Sequence, residues 1–162
     1  DEIRTLAEYA LDREDHELHA AVIFLTATGC RIGALPELTI KANGTYTTKS
    51  KGRDILARDP LPADVLAVLA PLGSKPFARY TGRKLEALKG RFSEATARLH
   101  KTGRIAAKYS PHDLRHSFAE ANKDRGLYWL KEALGHSSVA ITELYLKNTL
   151  GIDPRKTEGG RE

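Results

Sequence analysis

Four side chains suited to handling a phosphate fall within one stretch, Ser110 to Tyr145, which reads S-P-H-D-L-R-H-S-F-A, then a helix-length run, then L-G-H-S-S-V-A-I-T-E-L-Y. They are His112, Arg115, His136 and Tyr145. A guanidinium is always charged and offers a planar fork to phosphate oxygens, an imidazole exchanges a proton near neutral pH, and a phenol attacks once its proton is removed. Together they describe half of a site that attacks a phosphodiester.

The flanking residues say how this set is positioned. Ser110 supplies a capping hydroxyl, Pro111 fits the first turn and Asp113 suits the positive helix end, so a helix is predicted to start here. His112 and Arg115, three apart, then share a face near free amides that favour an anion. Gly126 interrupts, Leu127 to Leu134 reads as a short helix, and Gly135 stops it, leaving His136 in a tight bend. Ser137 or Ser138 caps a last helix, with Val139, Ile141 and Leu144 expected on the core and Tyr145 returning to the pocket.

On these residues, H-D-L-R with L-G-H-S-S and T-E-L-Y, the chain resembles the second box of the tyrosine recombinases, the phage integrase family. Thr28-Gly29-Cys30-Arg31-Ile32-Gly33 is similar to that family's first box, which carries an arginine, and Thr48-Lys49-Ser50-Lys51-Gly52-Arg53 to the hairpin that carries its lysine. The resemblance runs from about Glu2 to about Leu150. It implies a site-specific recombinase or integrase that cuts and rejoins DNA through a 3′-phosphotyrosyl link, without metal, cofactor or ATP. The catalytic residues it implies are Arg31, Lys49, His112, Arg115, His136 and the nucleophile Tyr145. Lys51 is the alternative lysine if the hairpin register shifts, and Lys51 and Arg53 are expected on DNA.

The same resemblance implies a catalytic domain over 1–148, a tail at 149–162 that is disordered or used between protomers, and an N-terminal core-binding domain outside this sequence. The expected partner is double-stranded DNA, held by a homotetramer on paired sites from a protein monomeric when free. Two other readings share the fold: a type IB topoisomerase or telomere resolvase, and a DNA-binding protein that does not cleave. One departure bears on the last of these. The family's acidic residue three positions after the first arginine is replaced by Ala34, and Glu37 is the nearest substitute. Taken singly, each residue also has an ordinary role, Tyr145 as a core tyrosine and Arg31 as a surface charge. His116, four after His112, lacks a third clear ligand, and zinc is rejected.

Charge alone fits a DNA partner or an ordinary solvated basic face equally, and only the motifs decide between them. The 162 residues suit one domain, with formal charge +5 and an isoelectric point near 9.4. Between Arg31 and Arg58 stand six basic residues (Arg31, Lys41, Lys49, Lys51, Arg53, Arg58) against two acids, Glu37 and Asp54. The sole cysteine, Cys30, excludes an internal disulfide and fits a reducing compartment. No apolar run reaches the roughly 18 residues of a membrane span, so a cytoplasmic protein is expected, away from the membrane. The chain starts without methionine and in mid-helix, as an excised domain would.

Element by element, the fold expected is α+β, mainly α-helical with a small three-stranded antiparallel sheet. Apolar spacing predicts a first helix through Leu11 and a second over 17–28 closed by Gly29, with Arg31 in the bend beyond. Strands are predicted at 38–41, 45–48 and 53–56, joined by turns at Asn43-Gly44 and Ser50-Lys51-Gly52. Helices over 63–69 and from 82 or 83 to 100 follow, while 74–80 fits neither pattern.

Overall fold

The computed structural model describes residues 1–57 and 59–152. Arg58, counted above among the basic residues, and 153–162, most of the expected tail, lie outside the described residues. The remainder is mostly helical with one three-stranded antiparallel sheet, as expected. In order these are α1 (Glu2–Asp12), α2 (His16–Thr28), β1 (Thr39–Ile40), β2 (Tyr46–Ser50), β3 (Arg53–Leu56), α3 (Ala63–Leu69), α4 (Arg83–Lys101), α5 (Pro111–Ala121), α6 (Leu127–Leu134) and α7 (Val139–Leu150).

Helix α2 is the centre of the core. It buries Leu18, Ala20, Ala21, Val22, Phe24, Leu25 and Thr28, a set that covers more than one face, and it packs on α1, α3, α4 and α5. A helix apolar nearly all round belongs in an interior. Asp15 caps its start, with Oδ1 accepting from the Leu18 amide at 3.0 Å, and the same carboxylate pairs with Arg91 of α4 at 3.0 Å. The undecided stretch 74–80 forms turns that bury Phe77 and Tyr80, and the Tyr80 hydroxyl donates to Glu17 of α2.

The sheet has order β1-β2-β3, with Thr39 opposite Thr47 and Lys49 opposite Asp54. Asn43 builds its turn by accepting from the Thr45 amide at 3.1 Å. The second turn holds Lys51 at φ 51° and Gly52 at φ 74°, the double positive φ that a two-residue hairpin matched to strand twist requires. Strand β1 is shorter than predicted. The preceding residues Ile32–Glu37 wind into a 3-10 helix containing Pro36, and beyond Leu38 only Thr39 and Ile40 remain to pair.

The final helix corrects one expectation. Ile141 and Leu144 are exposed, at 44% and 59%, and the residues that α7 buries are Thr142 and Leu146. Apolar residues occur all round this helix, so its sequence does not choose a face. The Gly135 bend and the cap at Ser138, whose hydroxyl accepts from the Ile141 amide at 3.3 Å, set the phase instead. Helix α7 also continues through Leu150, so the first residues of the expected tail are helical.

Gly29 closes α2 at φ 67°, and a Cβ there would run into the Phe118 ring of α5. Gly29→Ala is therefore expected to cost about 1–3 kcal/mol, from left-handed strain and overpacking together. Urea unfolding of both chains checks this; a variant as stable as wild type would contradict the close approach of α2 to α5.

Candidate functional site

Helix α5 begins with a capping box: the Asp113 carboxylate accepts from the Ser110 amide at 2.7 Å and from its hydroxyl at 2.9 Å. This fixes the first turn and with it the directions of His112, Arg115 and His116. His112 is exposed and Arg115 is only 1% exposed, so the pair that shares a helix face does not share an environment.

Arg115 reaches into the interior between two helix ends. Its Nη1 donates to the Gly29 carbonyl at 2.7 Å and its Nη2 to the Leu134 carbonyl at 2.8 Å, the last turns of α2 and α6. Both ends close on left-handed glycines, Gly29 and Gly135, which leave carbonyls available and carry the partial negative charge of helix C-termini. Nη2 also donates to His136 Nε2 at 3.2 Å. The Nε–H is buried without an acceptor among the described residues. Burial first, and the nearby Arg31 second, push the guanidinium pKa down to about 10, still charged at neutral pH.

His136 is buried in the bend after Gly135, with Nδ1 2.9 Å from Thr142 Oγ1. Since Nε2 accepts from Arg115, Nδ1 carries the proton and donates to Thr142: a neutral imidazole held at both nitrogens. Burial, then Arg115 and Arg31, lower its pKa to about 4. Its ring lies edge-on to Tyr145, with centroids 5.5 Å apart.

The half-buried Tyr145 makes its hydrogen bond to His116, through Nδ1. His112 stacks edge-on against the same His116 ring, with centroids 5.1 Å apart. Burial raises the Tyr145 pKa and Asp113 adds to it, while Arg115 and Arg31 both act to lower it. His112, although its side chain is exposed, is also held below its ordinary pKa, by partial desolvation at the cleft and then by His116, Arg115 and Arg31.

In front of this group lies a cleft of about 520 Å³ whose lining includes Arg31, Ser50, Lys51, Lys89, Ser93 and His112. Arg31 is half-buried in the bend after α2, its Nη1 3.4 Å from Ser50 Oγ. Lys49 stands apart. Alternation along β2 turns Ser50 inward and Lys49 outward, where its Nζ is 3.9 Å from Asp54. Lys51 lines the cleft, and Arg53 is exposed at the start of β3. Glu37 is exposed, and among the described residues the side-chain hydrogen bond of Arg31 goes to Ser50, which occupies the supporting position for which Glu37 was the expected candidate. A larger apolar groove of about 600 Å³, lined by Leu56, Leu61, Phe118 and Trp129 among others, contains none of the sequence-predicted site residues.

The structure thus brings Arg115, His136 and Tyr145 together, sets Arg31 and His112 on the adjoining cleft, and leaves Lys49 outside. Sequence reading missed the positions of His116, weighed only as a metal ligand, and of Thr142. The available signals were spacings: His116 lies one helical turn beyond His112, and Thr142 one turn before Tyr145.

A family model described as the phage integrase family matches residues 1–150. Among solved structures, the chain is similar to XerA recombinase at 22% identity, covering 100% of this chain and 64% of that one, with TM-score 0.69. It is similar to a lambda integrase tetramer bound to a Holliday junction at 21% identity, covering 100% of this chain and 48% of that one, with TM-score 0.67. The lambda integrase catalytic core alone gives 19% identity, 84% and 88% coverage and TM-score 0.62. The chain spans less than two-thirds of the XerA chain and about half of the longer lambda integrase chain. No curated protein matches the sequence. The fold is that of a tyrosine recombinase catalytic domain, as the sequence motifs implied.

The His136 environment has a measurable sign. An unfolded histidine binds its proton near pH 6.5 and the folded one near 4, so this contribution to stability is full above 6.5 and falls as pH drops toward 4. The His136 ring, followed by NMR, is expected to stay neutral down to about pH 4. His136→Gln should lose the matching part of the acid destabilisation. A folded midpoint at the ordinary histidine value would contradict the contact with Arg115.

Proposed function

The chain belongs to the phage integrase family, and from that premise we propose that it is the catalytic domain of a site-specific DNA recombinase acting through Tyr145. The domain expected over 1–148 extends to the end of α7 at Leu150, and the tail beyond it serves contacts between protomers. The observation that carries this reading is the gathering of the Tyr145 hydroxyl, His116, His136 and the buried Arg115 behind a cleft lined by Arg31, Lys51 and His112.

The chemistry follows from charge. A phosphodiester in the cleft carries negative oxygens whose charge reorganises in the five-coordinate transition state, and fixed cations lower that barrier. Arg31 faces the cleft directly, and Arg115 supplies positive potential from behind it. The Tyr145 oxygen attacks phosphorus, the DNA 3′ phosphate becomes linked to Tyr145, and the 5′ oxygen leaves with a proton from a hairpin lysine. Lys49 takes this role by motif and Lys51 by its place in the cleft. A 5′ hydroxyl from a second strand reverses the step, so the bond energy is retained without ATP. The two guanidinium groups supply the charge neutralisation.

Lys51 and Arg53 on the hairpin, with Lys89 of α4, give the backbone of double-stranded DNA a cationic track. The tetramer of lambda integrase on a Holliday junction supports a homotetramer on paired sites for this chain. A DNA-binding protein that does not cleave is the second reading. It is favoured by Ala34, buried where the resemblance placed an acid, which leaves Arg31 with a hydroxyl partner in place of a carboxylate.

Incubation of a supercoiled plasmid with this chain in excess EDTA, with detergent trapping, separates the two. Relaxation and protein-linked DNA are expected from wild type and should vanish in Tyr145→Phe. Arg31→Ala should slow adduct formation by about 100- to 1,000-fold, the usual loss for removal of one transition-state donor. An adduct that persists in Tyr145→Phe, or none from wild type, would contradict strand transfer through Tyr145.

A further inference from the structure

We propose that His116, rather than His112 or His136, is the base that takes the Tyr145 proton during attack; the inference rests on the strand-transfer reading above and assigns one of its roles. The three histidines near the phenol differ in what their nitrogens already do. His136 accepts from Arg115 at Nε2 and donates to Thr142 from Nδ1, so neither nitrogen has a lone pair to offer. His112 lines the cleft and meets the group through a perpendicular ring contact with His116, which places it beside the incoming phosphate. His116 has Nδ1 on the Tyr145 hydroxyl.

That contact comes from two separately fixed helices. The Ser110–Asp113 capping box sets the phase of α5, and the Gly135 bend with the Ser138 cap sets that of α7. His116 carries its own proton on Nε2 and presents the Nδ1 lone pair to the phenol. In the step, the bond from Tyr145 Oη to phosphorus forms, the phenolic proton passes to His116 Nδ1, the bond from phosphorus to the 5′ oxygen breaks, and the hairpin lysine protonates that oxygen. In rejoining, His116 returns the proton to Tyr145 as the leaving group. Both directions balance without a further reactant.

The test measures initial rates of adduct formation on supercoiled plasmid for wild type, His116→Ala and His116→Gln, with and without added imidazole. Glutamine keeps an acceptor oxygen for the phenol but takes no proton near neutral pH, so it separates holding Tyr145 from deprotonating it. Both variants are expected to be at least about 100-fold slower, the usual share of general acid–base catalysis. Imidazole should restore His116→Ala in part and leave His116→Gln slow. A wild-type rate in either variant, or His116→Ala that melts like wild type and is slow but indifferent to imidazole, would overturn the assignment. Absence of adduct from wild type itself would overturn strand transfer, and this role with it.

Discussion

A full positive charge in the interior is the constraint around which this structure is arranged. Arg115 is almost wholly buried, and an unpaired charge there would cost several kcal/mol, so acceptors must be brought to it. They come from the last turns of α2 and α6, through the carbonyls of Gly29 and Leu134. Because both helices stop on left-handed glycines, their ends point negative partial charge at one guanidinium. The charge therefore ties α5 to two other helices, and it fixes the bend from which His136 and then α7 emerge. Loss of the cation would leave two buried carbonyls unpaired, at about 1–3 kcal/mol each.

The same arrangement sets the electrostatics of the site. Burial first, then Arg115 through the direct contact at Nε2 and Arg31 from the cleft, hold His136 neutral. Both cations favour the phenolate form of Tyr145, against a larger opposing effect of burial. The resting phenol is thus kept protonated in a field that favours its ionised form, and its hydroxyl is already in contact with His116. Under the proposed chemistry, an entering phosphate would meet a nucleophile whose charge is opposed mainly by desolvation, with a smaller contribution from Asp113.

Local signals in the sequence carried most of the fold. The glycines at 29 and 135, the Ser110 to Asp113 spacing and the Asn43-Gly44 turn each act through backbone conformation within a few residues, and each appears where its chemistry requires. What could not be read was side-chain direction set by contacts distant in sequence. Arg115 and His112 sit on one face of α5 by spacing, yet one is buried and the other exposed, because α2 and α6 close over only part of that face. The inward turn of Thr142, in place of Ile141 and Leu144, depends on how the bend aims α7. His116 was visible as a residue but not as a partner of Tyr145, since that contact joins two helices whose relative placement no short motif encodes. Lys49 shows the same limit: the motif names the hairpin, and it is the turn after β2, with Lys51 at φ 51°, that carries Lys51 rather than Lys49 to the cleft that Arg31 lines.

The most direct measurement is identification of the residue that carries DNA. The detergent-trapped adduct is trimmed with nuclease, digested with trypsin and sequenced by mass spectrometry. The account predicts a nucleotide 3′-phosphate on Tyr145, within the peptide spanning 132–147. Attachment at any other residue, such as Tyr128 in the preceding peptide, or an unmodified 132–147 peptide from material that does carry DNA, would contradict it.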